Sequence, residues 1–206
     1  MTISASEAMQ SPSPEVVPRG RLKVALIFLI GFSPFILATL MYYSGWGIPT
    51  GRVNHGELLL PTVPVAQLGL RDIQGQPLAE HFAPAAGNPA WMLLILAPRC
   101  DQRCVELLHT VRQVNIALGK DSNRLSRAFW SPQPPAGLDL ATLYPQLLRL
   151  QAMPAPALWP GKVEPSTLQI YVVDPHGNLV LRYDRQEKGK GMLDDLKRLL
   201  RLSQIG

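Results

Sequence analysis

A run of twenty residues, Val24 to Tyr43 (VALIFLIGFSPFILATLMYY), carries no charged side chain. No other feature restricts so strongly what this chain can fold into. As a helix rising about 1.5 Å per residue, the run is long enough to cross a hydrocarbon core of roughly 30 Å. Arg19, Arg21 and Lys23 precede it, and Tyr42, Tyr43 and Trp46 follow as interfacial anchors. The positive-inside tendency predicts residues 1–23 in the cytoplasm and the rest of the chain outside it. A cleaved signal peptide is the competing reading. The run is longer than an ordinary signal core, and the bulky Leu40-Met41-Tyr42-Tyr43 offers no small-residue cleavage site, so an uncleaved anchor is expected. Pro34 predicts a kink of the kind that membrane helices tolerate.

A chain of 206 residues with such an anchor has room for one further domain of ordinary size. At 47% hydrophobic and 17% charged residues, that domain can bury a true core. The formal charge of +5 is scattered, without a basic stripe interleaved with aromatics, so a nucleic-acid partner is not expected. Residues 1–23 read as a disordered cytoplasmic N-terminus, 24–44 as the transmembrane helix, 45–66 as a juxtamembrane connector, and 67–206 as an extracytoplasmic domain.

Within that domain, Gln67 to Asp72 and Gln76 to Leu78 flank Ile73-Gln74-Gly75 as a predicted hairpin. Trp91 to Leu96 reads as a buried strand, and a helix follows from about Asp101 to Leu118. Leu125 to Trp130 is a second strand, and Leu138 to Leu150 has a helical apolar pattern interrupted by Pro145. Leu168 to Val173 and Leu179 to Tyr183 form a hairpin around Pro175-His176-Gly177-Asn178. An amphipathic helix, Met192 to Leu202, closes the chain. Parallel neighbours need helical crossovers, whereas antiparallel ones need only a turn. The predicted fold is therefore α/β: a thioredoxin-like domain with an N-terminal β-hairpin extension, tethered by one N-terminal transmembrane helix.

The two cysteines of the chain, Cys100 and Cys104, fall where the strand at 91–96 hands over to the helix. A helix start has free N–H groups and the positive end of the helix dipole, both of which favour a thiolate at Cys100. Arg99 and Arg103 add positive charge. A spacing of four residues brings the two sulfurs to one side of the helix. The arrangement suits a reversible disulfide, two thiolates on a soft ion such as Cu(I), or a plain disulfide. Stability alone is a weak reason for a bond across so short a loop.

The anchor, the strand AWMLLILAP, the CDQRC spacing, the segment TLQIYVVDPHGNLVLRY and the closing helix together resemble the Sco/SenC group of thioredoxin-like copper proteins. They resemble especially the small membrane-anchored proteins associated with cytochrome c oxidase assembly in proteobacteria. The resemblance spans roughly residues 20–206. It implies an inner-membrane, single-pass protein with a periplasmic domain, whose partners are oxidase subunits or assembly factors. It implies roles for Cys100 and Cys104 as redox residues, as copper ligands, or as both. The family's third copper ligand is a histidine, and its position falls at Ser166 in this chain. His176 sits in the hairpin turn, His109 lies about 140° around the helix from Cys104, His55 is in the connector, and His81 carries no spacing signal. Met153 could supply a thioether, and Pro165 is near the position of the family fold's cis-proline. Oxidase-directed thiol maintenance or copper handling is the leading expectation. A general periplasmic thiol–disulfide oxidoreductase and a non-catalytic binding module with a static disulfide are the alternatives.

Overall fold

The computed structural model describes residues 19–45, 54–83, 90–152, 163, 166–184 and 189–203. The chain divides into two compact units, Met1–Gly51 and Arg52–Gly206. Of the disordered N-terminus expected at 1–23, residues 1–18 lie outside the described residues, as do Trp46, Met153 and Pro165, whereas residues 19–23 are helical, because the helix extends past the apolar run.

In the first unit, helix α1 runs Arg19–Ser44, 26 residues, slightly longer at both ends than the apolar run. Gly20–Ser44 is long and apolar enough to cross a membrane. Pro34 lies inside the helix. It has no N–H to offer the carbonyl four residues back, that of Ile30. The Ser33 hydroxyl donates to that same carbonyl at 3.2 Å, which compensates for the missing donor. The Thr39 and Ser44 hydroxyls donate to Phe35 and Leu40 carbonyls at 2.9 and 2.6 Å. No hydroxyl among these is left unpaired, as an apolar surrounding demands.

The second unit is a seven-stranded sheet. Its strands are β1 (Glu57–Pro64), β2 (Leu70–Asp72), β3 (Trp91–Leu96), β4 (Leu125–Trp130), β5 (Leu147–Ala152), β6 (Gln169–Val173) and β7 (Asn178–Tyr183). The spatial order is β1-β7-β6-β3-β4-β5-β2. Strands β3, β4 and β5 are parallel, while β6, β7 and both edge strands pair antiparallel. Helix α2 (Gln102–Ala117) and helix α4 (Gly189–Leu202) pack against each other, and a short α3 (Leu140–Leu143) precedes β5.

Strand β3 explains how the core is built. All six of its residues are buried because the sheet is covered on both faces. Alternation sends Trp91, Leu93 and Ile95 toward α2 and α4. It sends Met92, Leu94 and Leu96 into a second cluster with Leu59, Val63, Leu78 and Phe82. In β7 a one-residue bulge pairs Leu181 with Val172 but Leu179 with Val173. Leu179 and Leu181 thus serve opposite cores although two residues apart, as a bulge requires.

Two expectations need correction. Residues 57–64 are not connector: they form β1, paired with β7. Prolines 61 and 64 argue against a strand in sequence, but β1 is an edge strand with a register shift between Leu58 and Val63, where proline is tolerated. The helix expected over 138–150 is instead α3 followed by β5. Pro145 ends the helical pattern, and Leu148 and Leu150 then face one cluster while Leu147 faces the other, with the period of a strand. The hairpin expected at 67–78 is present in small form. Arg71 bridges Pro77 across the turn, while β2 itself pairs with β5.

Candidate functional site

The predicted cysteine site lies at the joint between β3 and α2. Strand β3 is prolonged by the Ala97 N–H, which donates to the Trp130 carbonyl at 3.0 Å. The chain then turns through Pro98 and Arg99, and Asp101 caps the helix, its carboxylate accepting the Cys104 N–H at 3.1 Å. Cys100 therefore precedes the cap instead of lying in the first turn. Its own N–H donates across to the Gln133 carbonyl at 2.9 Å, and Arg99 Nε donates to the Gln133 side-chain oxygen at 2.8 Å. One residue of the 131–137 loop so fixes both the backbone and the charged neighbour of the cysteine.

Cys100 and Cys104 are joined as a disulfide, with Cα atoms 5.0 Å apart. Both sulfurs belong to the helix-side core. Cys104 is fully buried, whereas Cys100 is 7% exposed. Solvent and any attacking thiol therefore meet Cys100 first. The exposed side chains of Arg99 and Arg103 supply positive charge beside it. A cleft of about 280 Å³, lined by Phe129, Ser131, Pro134, Pro135 and Arg149 among others, opens at the same 131–135 loop. It lies at the carboxyl end of β4, where open α/β sheets carry their binding sites.

The described contacts of the four histidines lie elsewhere, that of His176 being through its backbone. His55 Nδ1 is 3.2 Å from Asp195 Oδ1, and His81 Nε2 is 3.3 Å from Asp72 Oδ2. His109 is exposed on α2 beside Gln113, and the His176 N–H donates to Asp174 within the β6–β7 turn. Ser166 is exposed in the turn before β6. Among the described residues no cluster of three or more His, Cys, Asp or Glu side chains is arranged to hold a metal. Among the described residues the donor set at the joint is two sulfurs. Two thiolates freed by reduction would suit a soft ion.

Sequence reasoning missed three residues that shape this domain. Asp101 has a recognisable capping position, directly before the helix. Gln133 carries no signal. Asp195 carries one: an acid on the apolar stripe of α4, between Met192, Leu196 and Leu200. Its carboxylate accepts the N–H groups of His55 (2.9 Å) and Gly56 (2.9 Å) and the Tyr183 hydroxyl (2.9 Å). Burial raises the Asp195 carboxyl, but these hydrogen bonds and the His55 ring outweigh it and hold the group below its ordinary value.

A parallel-centred sheet with a cysteine pair at the strand-to-helix joint defines a thioredoxin-like domain. The family model described as "transmembrane-like, thioredoxin-like, C-terminal domain" matches residues 91–203, and its "transmembrane-like, N-terminal domain" counterpart matches residues 14–45. The chain belongs to this family of transmembrane-like, thioredoxin-like proteins. In fold it is similar to the apo Sco1 protein from Thermus thermophilus, at 23% identity and TM-score 0.50, over 74% of this chain and 98% of that one. It is also similar to Arabidopsis thaliana ScoI with copper bound, at 16% identity and TM-score 0.50, over 69% of this chain and 99% of that one. Comparison with curated proteins gives no match.

Proposed function

We propose that this protein is a membrane-tethered thiol–disulfide partner for cytochrome c oxidase under assembly, working through Cys100 and Cys104 on the periplasmic side of the inner membrane. The observation that carries the reading is the asymmetric disulfide, in which Cys100 keeps a 7% exposure and Cys104 is fully buried. In the dithiol form, the Cys100 thiolate attacks a client disulfide, one client thiolate leaves, and a mixed disulfide forms. Cys104 then attacks the Cys100 sulfur, releases the second client thiolate and re-forms the Cys100–Cys104 bond. Two electrons and two protons pass to the client, and an external dithiol donor returns them. The positive charges of Arg99 and Arg103 favour the attacking thiolate.

Copper handling is the second reading, favoured by the donor set. Two thiolates freed by reduction would hold Cu(I), and the similarly folded Arabidopsis ScoI is a copper-bound protein. Copper would then be cargo for the oxidase.

The experiment uses the reduced full-length chain in detergent. Cys104→Ser is expected to trap a mixed disulfide through Cys100 when it meets an oxidase peptide whose cysteines are joined as a disulfide, one peptide thiolate leaving, and Cys100→Ser is expected to trap none. One Cu(I) bound per chain, lost in either serine variant, would favour the copper reading. Normal oxidase assembly in cells carrying both substitutions would sink both readings and leave a static disulfide on a binding scaffold.

A further inference from the structure

The cleft at the 131–135 loop is built from three parts of the chain. Strand β4 supplies Phe129, the loop after it supplies Pro134, Pro135 and Leu138, and β5 supplies Arg149. Phe129 and Arg149 are paired neighbours in the sheet, so their side chains leave the same face. Phe129 is buried, Pro135 and Leu138 are half-buried, and Arg149 is exposed. The cleft is thus apolar in its depth and basic at its rim. At about 280 Å³ it falls just below the usual range of small-molecule sites, about 300–1,000 Å³, and suits one bulky side chain.

The polar groups of the cleft divide unevenly. Asp139 Oδ1 accepts the Ala141 N–H at 2.9 Å and Asp139 Oδ2 accepts the Thr142 hydroxyl at 2.5 Å, so both oxygens are occupied at the start of α3. Ser131 Oγ accepts the Gln133 N–H at 3.2 Å. Arg149, in contrast, makes no hydrogen bond and no close ion pair among the described residues. The Asp139 carboxyl is held below its ordinary value first by the Thr142 hydroxyl, then by the Ala141 N–H, and least by the charge of Arg149. The guanidinium therefore keeps its donors for a ligand. On the other side of the loop, Arg99 and Arg103 are exposed beside Cys100, and Asp101 between them caps α2. Three arginines thus flank the loop, while the two acids beside it, Asp101 and Asp139, are both bound to helix N–H groups. This distribution of charge favours an acidic partner.

The cleft is also coupled in space to the disulfide. The Cys100 N–H donates to the Gln133 carbonyl at 2.9 Å, and the next residue, Pro134, lines the cleft. An extended chain of about three residues, at roughly 3.3 Å each, spans from the Cys100 sulfur to the cleft mouth. Building on the thiol exchange proposed above, we propose that this cleft is the recognition site for the client: it takes a bulky apolar side chain, with an adjacent carboxylate on Arg149, about three residues from the client cysteine that Cys100 attacks. The apolar side chain covers Phe129, Pro135 and Leu138, and the carboxylate gives Arg149 the partner that the fold withholds.

The test uses the full-length protein in uncharged detergent and a synthetic peptide with two cysteines, a Phe three positions beyond one of them and a Glu after the Phe. In the first arm both peptide cysteines are replaced by Ser, and binding to the oxidised protein is read from the fluorescence anisotropy of a label on the peptide. Saturable binding is expected, weakened about tenfold when the peptide Phe becomes Ala. It should weaken about threefold when the peptide Glu becomes Lys. Arg149→Glu, at an exposed position, should reverse the preference between Glu and Lys peptides, and Arg149→Ala should erase it. In the second arm the peptide carries its disulfide, and the reduced protein should release its thiols about ten times faster from the Phe form than from the Ala form. Equal binding of the Phe and Ala peptides, or a Glu preference that survives both Arg149 variants, would overturn the proposal. So would self-association of the protein that Arg149→Glu dissolves, with no peptide bound, since the cleft would then belong to a second copy. Selective binding in the first arm with no thiol release from any peptide in the second would remove the exchange reading and leave the recognition site standing.

Discussion

The Cys100–Cys104 bond and the Asp195 carboxylate are both links, and they divide the work of the domain in an unexpected way. The covalent link joins residues four apart. The non-covalent link joins residues 140 apart, tying His55 and Gly56 at the start of β1 to the last helix. A bond across a short loop removes little freedom from the unfolded chain, whereas the carboxylate satisfies several buried donors at once. The difference teaches that the disulfide is the weaker structural element of the two, which accords with the thiol exchange proposed for it.

The sharpest way to break that contrast is Asp195→Ala, which strands two N–H groups and the Tyr183 hydroxyl. It is expected to destabilise the domain by about 4 kcal/mol, read from denaturant unfolding. The pH dependence carries the same signature. Because the folded carboxyl is held low, its contribution is complete above the ordinary carboxylate value of about 3.9 and is lost as the pH falls through the lower folded value. The midpoint should be flat with respect to this group from pH 7 to about 5 and then drop, with a smaller drop in Asp195→Asn. An Asp195→Asn protein with the wild-type acid profile would contradict the assignment.

Gly56→Ala comes next. A Cβ there would meet Tyr183 Cε1 at 2.7 Å, pushing the ring away from Asp195. A loss of about 2 kcal/mol is expected in the same unfolding measurement. The smallest effect on stability belongs to the disulfide. Reduction, or Cys100→Ser with Cys104→Ser, should cost no more than about 2 kcal/mol while removing all thiol reactivity. A loss larger than that of Asp195→Ala would reverse the comparison and restore a structural role to the bond.

The strands β3, β4, β6 and β7 and the helices α2 and α4 were legible because each carries a largely apolar period between turn residues, interrupted only by single polar residues such as Arg127 in β4 and Asp195 in α4. Strand β1 was hidden by Pro61 and Pro64, which only an edge position can accommodate. Strand β5 was hidden because four residues, Leu147 to Leu150, cannot distinguish a helical period from an alternating one. At the joint, the cysteines and their strand-to-helix setting were readable from spacing. Gln133 was not, since its contact with Cys100 arises from a loop after β4 that shares no pattern with the 97–104 segment. Arg127 was equally opaque. An arginine in a short strand reads as solvated until the packing on both sides shows that it is enclosed.

The cap at Asp101 has a further consequence. The first turn of α2 is closed by that carboxylate and by the Gln133 carbonyl on Cys100, not by the sulfur–sulfur bond. Neither backbone contact depends on the sulfur–sulfur bond. In the thiol exchange proposed above, the oxidised and reduced forms would then differ chiefly at the sulfur atoms, and a client would meet that difference at Cys100.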